Sequence, residues 1–301
     1  MFCSWRARQA GDQLLGTATQ ASTWLLIEHP EAWGRDAVAE SGLPAALLDA
    51  INRWTDVHDG LRVQLIRRGV NSREAEEGTT VYLAHADPTS PRLDWGRWET
   101  IEALCEIDLI GAMKNEAGTE TATSGFERVD EEIVLTCTNG NRDRCCARYG
   151  NALHDAFRAA DATAAWQTSH LGGHRFAPTC VVLPCGAQYG WLSEDEAETL
   201  WEAHRQGRLH RLDRYRGHVG FPRPVQAADA FLRQLLDCRD LQAVSLETVK
   251  QTSTGWRVRF EVGDDDHEIK LDQTEGEAIP LSCGADPEPR WHFRLEGHRT
   301  L

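Results

Sequence analysis

Two thiols and two imidazoles fall close together in the middle of this 301-residue sequence. Cys137 and Cys146 are separated by eight residues, Thr-Asn-Gly-Asn-Arg-Asp-Arg-Cys, and after 23 more residues comes His170-Leu-Gly-Gly-His174. Thiolate sulfur and imidazole nitrogen suit zinc or an iron–sulfur cluster far better than magnesium or calcium. Two Cys and two His make a good tetrahedral zinc site as well as a cluster site, although eight intervening residues exceed the roughly two to four of a short zinc finger.

The flanking residues explain how such a loop could be held. Ile133-Val-Leu135 is an apolar run that predicts a buried strand directly before the Cys137 loop, whose Asn, Gly, Arg and Asp residues favour turns. A helix is expected over Ala147 to Ala160 and a strand over Ala165 to His170. Gly172 and Gly173, having no Cβ, let the backbone approach something bulky. Thr179–Leu183 and Ala187–Trp191 read as a hairpin across Pro184-Cys185-Gly186, and Ser193 with Glu196 forms a capping box that opens a helix to Gly207.

The same order of elements stands upstream. Thr23–Glu28 is an apolar strand stopped at His29-Pro30, and Leu43, Leu47, Leu48, Ile51 and Trp54 fall at helical spacing. Leu61–Ile66 alternates as a strand, Thr80–Ala84 and Arg92–Trp98 suggest a hairpin, and Glu99 to Met113 reads as a helix. Residues 114–128, rich in Glu, Thr, Gly and Ser, read as a linker. An internal duplication is therefore expected, with no thiol pair in the first copy. The segment from Arg208 to Pro224 reads as a connection to a third unit, with a helix over Val225–Asp237 and strands over Trp256–Val262 and Glu268–Leu271. Asp264-Asp265-Asp266 is expected to be a polar hairpin turn, because no further spaced carboxylates complete a calcium loop. The expected units are 1–125, 126–223 and 224–301.

Composition narrows the function classes. No apolar run approaches the roughly 20 residues of a membrane span, so no membrane association is expected. A net charge of −15, from 32 basic and 47 acidic residues, argues against sequence-independent nucleic-acid binding, which needs a phosphate-neutralising face. The first residues, Met1-Phe-Cys-Ser-Trp-Arg-Ala-Arg8, show no secretory h-region, so a cytoplasmic location is expected. Nine cysteines cannot all pair with one another in one chain. Cys3, Cys105, Cys238 and Cys283 stand alone and read as small buried apolar residues.

Cys137-x8-Cys146 followed by His170-x-Gly-Gly-His174, with Arg175-Phe-Ala-Pro178 after it and Trp24-Leu-Leu-Ile-Glu28 upstream, resembles the sucrase/ferredoxin-like family from near Ser4 to about Gly207. The resemblance implies an α/β (α+β) thioredoxin-like ferredoxin domain, preceded by a related thioredoxin-like unit without a cluster and followed by a small α+β unit. It implies a [2Fe–2S] cluster on Cys137, Cys146, His170 and His174, with Cys145 as the alternative to Cys146. It implies a one-electron carrier between a reductase and an acceptor that the sequence does not name, an electron-transfer role in preference to an enzymatic one.

With two thiolates and two neutral imidazoles, an oxidised [2Fe–2S] core has a net charge of about 0 instead of about −2, which raises its potential. Arg142, Arg144, Arg148 and Arg175 are expected to push the same way. A histidine ligand that titrates on its free nitrogen would make the reduction proton-coupled. Two alternatives remain: a zinc-stabilised binding module on the same four residues, or a thiol oxidoreductase using Cys145, Cys146, Cys180 or Cys185, although that chemistry usually shows Cys-x-x-Cys. No paired carboxylates suggest glycoside hydrolysis. Trp166 and Trp191 are expected in the core.

Overall fold

The computed structural model describes residues 2–69, 77–114 and 125–301. A short helix, α1 (Cys3–Gln9), opens the chain where the sequence suggested only a polar start, and buries Cys3, Ser4 and Ala7. β1 (Thr23–Glu28) is buried along nearly its whole length, as its apolar run predicts. After α2 (Ala37–Glu40), Pro44 precedes α3 (Ala45–Val57), which turns Leu47, Ala50, Ile51 and Trp54 inward at helical spacing. β2 (Leu61–Arg67), β3 (Thr79–His85) and β4 (Arg92–Trp98) follow.

The helix expected from Glu99 to Met113 is broken. A 3-10 turn over Ile101–Glu106 gives way, at extended Ile107, to α4 (Leu109–Lys114), which Asp108 restarts by accepting the Gly111 N–H at 2.9 Å. Leu104 and Leu109 both still reach the core, so the apolar spacing survives the interruption. The proposed linker lies mostly outside the described residues, and near its end β5 (Glu127–Val129) pairs with β4.

The second half repeats the plan. β6 (Ile133–Cys137) leads into α5 (Arg144–Ala160), which starts three residues before the expected Ala147 because Asp143 caps it. β7 (Ala165–Thr168), β8 (Thr179–Leu183), β9 (Ala187–Gly190) and α6 (Ala197–Arg205) follow, the last entered through the Ser193–Glu196 capping box. The segment expected as a mere connection contains one more strand, β10 (Tyr215–His218). It is only four residues long, and its pairing with β9 makes it a strand where the local pattern does not.

β1 runs parallel to β2 and antiparallel to β3, which pairs antiparallel with β4; β6, β7, β8 and β9 repeat these relations in turn. Two thioredoxin-like sheets thus meet edge to edge where β2 and β7 pair antiparallel, Ile66 with Thr168 and Arg67 with Gln167. One ten-stranded sheet results, in the order β10-β9-β8-β6-β7-β2-β1-β3-β4-β5, symmetric about that seam. Its register sets Glu28 in the first half where Cys137 stands in the second.

The C-terminal unit packs α7 (Arg223–Leu236) on a four-stranded antiparallel sheet of β11 (Val244–Gln251), β12 (Trp256–Val262), β13 (Asp265–Pro280) and β14 (Pro287–Thr300). Val225, Ala228 and Leu232 meet Val258, Phe260 and Ile269 in its core. Gly263 and Asp264 form the two-residue turn between β12 and β13, whereas Asp265 and Asp266, expected in the turn with Asp264, already pair with β12. β13 and β14 continue past the end of β12 as a two-stranded arm. That arm is tied to the residues after α1: Arg290 and His292 reach Asp12 at 2.7 and 2.9 Å, while Asp12 also accepts from Arg175 at 2.8 Å. Among the described residues no helix is long and apolar enough to cross a membrane.

Burial holds the imidazoles of His85, His204 and His218 down to about 4, 3 and 4. Neutral when folded, they would protonate near about pH 6.5 when unfolded, so their contribution is present above that pH and lost as pH falls toward 4. Chemical denaturation is expected to show stability falling over this window. His204→Gln, which can keep a partner for the Tyr189 hydroxyl 2.8 Å away, should lower the slope by up to about 1.4 kcal/mol per pH unit; an unchanged slope would contradict the assignment.

Candidate metal centre

Three of the four expected donors come together at the end of β6, where strand pairing and the first turn of α5 place them. The donor atoms of Cys137, Cys146 and His170 lie within 4.8 Å of one another, and His170 Nδ1 is 3.8 Å from each sulfur. Both thiols are buried, at 1% exposure each. His174 stands outside this triad, its Nδ1 3.3 Å from His170 Nε2 and its Nε2 3.7 Å from the Asp143 carboxylate.

Local sequence explains the close approach of α5. A Cβ at Gly150 would run into the Cys137 carbonyl, so a glycine there lets the helix settle on the end of β6. Gly173, at φ 70°, turns the chain between the imidazoles, and a side chain there would meet the Arg216 guanidinium. The loop itself is fastened by the first half: Asn139 and Asn141 donate to the carbonyls of Gly34 and Trp33 at 3.0 and 2.6 Å.

The Cys146 thiol, hydrogen-bonded to Cys137, and then His170 hold the Cys137 thiol well below its ordinary range in spite of burial. Burial and the neighbouring His170 push the His174 imidazole down to about 4, which leaves it neutral and able to donate a lone pair near pH 7. Backbone N–H groups of Cys283 and Cys145 outweigh the effect of burial on Asp143 and hold its carboxyl down to about 2. The site can therefore bind a thiophilic metal through its Cys and His groups.

The family model described as sucrase/ferredoxin-like matches residues 14–217, well over half of the sequence. The chain belongs to the sucrase/ferredoxin-like family. The match runs from before β1 into β10, so it spans both thioredoxin-like halves, and it stops short of α7. No curated protein and no solved structure matches the chain.

Within this family member the expected tuning cations are differently placed. Arg144 and Arg148 are exposed, and Arg175 is engaged by Asp12. Arg142 is half-buried and acts on His174. Two arginines from distant segments face the site instead. Arg62 donates to the His170 carbonyl at 2.7 Å and lies over the Trp24 ring; burial pushes it down to about 10, and Cys137 opposes that shift. Arg216 is fully buried, donates to the Gly172 carbonyl at 3.1 Å, and is pushed by burial down to about 9. Neither has a sequence signal beyond charge, although Arg62 lies on an expected strand.

The other cysteines separate clearly. Cys145 is turned away from the triad, toward Cys3 and Cys283, two cysteines that stand alone in the sequence. Cys180 is buried in the apolar cluster beneath β8, and Cys185 sits beside His204. Burial raises both thiols, which disfavours the thiolate at either. Trp166 is core, as expected, whereas Trp191 is half-buried against Phe176.

Metal held at the Cys137 triad is expected to be lost from Cys146→Ser and retained by Cys145→Ser. Iron and sulfide per chain check this, since Cys145 belongs to a separate thiol cluster; loss of both from the Cys145 variant alone would reverse the two roles.

Proposed function

We propose that the second thioredoxin-like unit, 126–223, binds a [2Fe–2S] cluster through Cys137, Cys146, His170 and His174, and that the protein is a one-electron carrier. The observation that carries this reading is the offset of His174 from an otherwise close Cys2His triad. A single tetrahedral zinc requires four donor atoms at about 2.0–2.3 Å, hence all within about 3.8 Å of one another. Three close donors and a fourth displaced toward His170 suit a larger, binuclear group better. The donor chemistry fits as well: two buried thiols, one of them already biased to thiolate, and a neutral second imidazole. When bound, such a cluster supplies one-electron transfer.

The protein's own residues set the surroundings. Arg62 and Arg216 bring positive charge toward the Cys137 side, which favours an added electron. The thiols are enclosed, whereas both imidazoles are half-buried, so the histidine edge is the side nearest a partner. Asp143, facing His174 Nε2 at 3.7 Å, favours a proton on that nitrogen. A reductase and an acceptor docking at the histidine edge complete the reading.

Anaerobically purified protein is expected to be coloured, to bleach on reduction, and to contain about two irons and two sulfides per chain. Iron-free protein with zinc bound by two sulfurs and two nitrogens would establish the structural zinc module instead. In the loaded protein, Arg62→Gln should lower the potential by roughly 40–90 mV, for a lost interaction on the order of 1–2 kcal/mol, while Arg62→Lys should stay close to wild type. Redox titration of the pair measures this, and equal potentials in all three proteins would remove Arg62 from the account. His170→Cys should keep a cluster at lower potential, because the thiolate adds negative charge.

A further inference from the structure

We propose that Cys3, Cys145 and Cys283, with Asp143 as the fourth donor, form a second metal site that takes a thiophilic divalent cation, zinc foremost. The three sulfurs make a nearly closed triangle: Cys3 to Cys145 is 3.5 Å, Cys145 to Cys283 3.3 Å, and Cys283 to Cys3 3.7 Å. Both Asp143 carboxylate oxygens lie 3.8 Å from the Cys3 sulfur, and the four donor groups fall within 4.8 Å of one another. Around zinc, with Zn–S bonds of about 2.3 Å, tetrahedral geometry places sulfurs about 3.8 Å apart. An ion at the centre therefore needs the sulfurs to separate by only a few tenths of an ångström.

These groups come from three unrelated places in the fold. Cys3 opens α1, Asp143 and Cys145 belong to the cap and first turn of α5, and Cys283 lies in the turn that joins β13 to β14. The Cys283 N–H donates to Asp143 at 2.7 Å and the Ser282 hydroxyl at 3.0 Å, so that turn is aimed at the carboxylate. The Cys3 N–H points to the Cys283 sulfur at 3.5 Å, the kind of contact that stabilises a thiolate. A buried carboxylate set against three thiols opposes their ionisation by like charge, and a dication reverses that opposition. Binding releases the thiol protons to solvent and forms metal–thiolate bonds, with no change of oxidation state. A disulfide would use two of the three sulfurs and leave both the third and the carboxylate without a role.

The site shares no ligand with the Cys137 set, because Cys145 and Cys146 leave the helix in different directions. It abuts that set, however, through Asp143, which also faces His174 at 3.7 Å. An ion here would pin α1 and the tip of the C-terminal arm beside the histidine edge. This holds whether or not the Cys137 set carries a cluster.

The test uses the full-length protein, as isolated and after incubation with zinc. X-ray absorption at the zinc edge is expected to show about three sulfurs at about 2.3 Å and one oxygen at about 2.0–2.2 Å. Zinc, iron and sulfide are then counted in variants. Cys3→Ser and Cys283→Ser should each lose about one zinc per chain, the single ion of such a site, with iron and sulfide unchanged; Cys137→Ser should keep that zinc, whatever the Cys137 set holds. Should the serine variants fail to fold, the wild-type absorption spectrum still decides. Two sulfurs with two nitrogens, zinc content unchanged in both serine variants, no zinc taken up, or a disulfide between two of the three cysteines found by alkylation and mass measurement would each overturn the proposal.

Discussion

The Asp143 carboxylate is the interaction around which the site is arranged. By accepting the Cys145 N–H at 2.8 Å it fixes where α5 begins, and the helical rotation then sends Cys145 and Cys146 to different sides. Cys146 joins Cys137 and His170, and Cys145 joins Cys3 and Cys283. The same carboxylate receives Ser282 and Cys283 from the distant arm and faces His174. A cap one residue earlier or later would rotate both cysteines by about 100° and dissolve both groupings.

The edge-to-edge seam between β2 and β7 gives the first half a purpose. It places β2 beside the imidazole-bearing segment, so that Arg62 reaches the His170 carbonyl, and it brings the loop after β1 against the Cys137 loop. The duplicated unit acts as a wall and a source of positive charge. Its own equivalent position carries Glu28, a carboxylate where the second half has the Cys137 thiol.

The C-terminal unit reaches the same region by another route. Asp12 gathers Arg290 and His292 from β14 together with Arg175 from the histidine segment, in a buried group where losing one partner would leave charge unmatched. This explains the extension of β13 and β14 past their sheet: the arm is long enough to cover α1 and to carry Cys283 to Asp143.

The sequence alone determined the local facts. Apolar runs, helical spacing and capping residues identified β1, α3, the β8–β9 hairpin and the start of α6, and the spacing of Cys137, Cys146, His170 and His174 marked the candidate centre, because these are short-range patterns. The broken helix before α4, the four-residue β10 and the early start of α5 were less legible, since pairing or a single side-chain cap decides them. Only the tertiary structure decided which way Cys145 and Cys146 point, which arginines approach the site, and that Cys3 and Cys283 meet. Those two cysteines are separated by most of the chain, and no local preference encodes a contact that exists only after two sheets have fused and an arm has folded back.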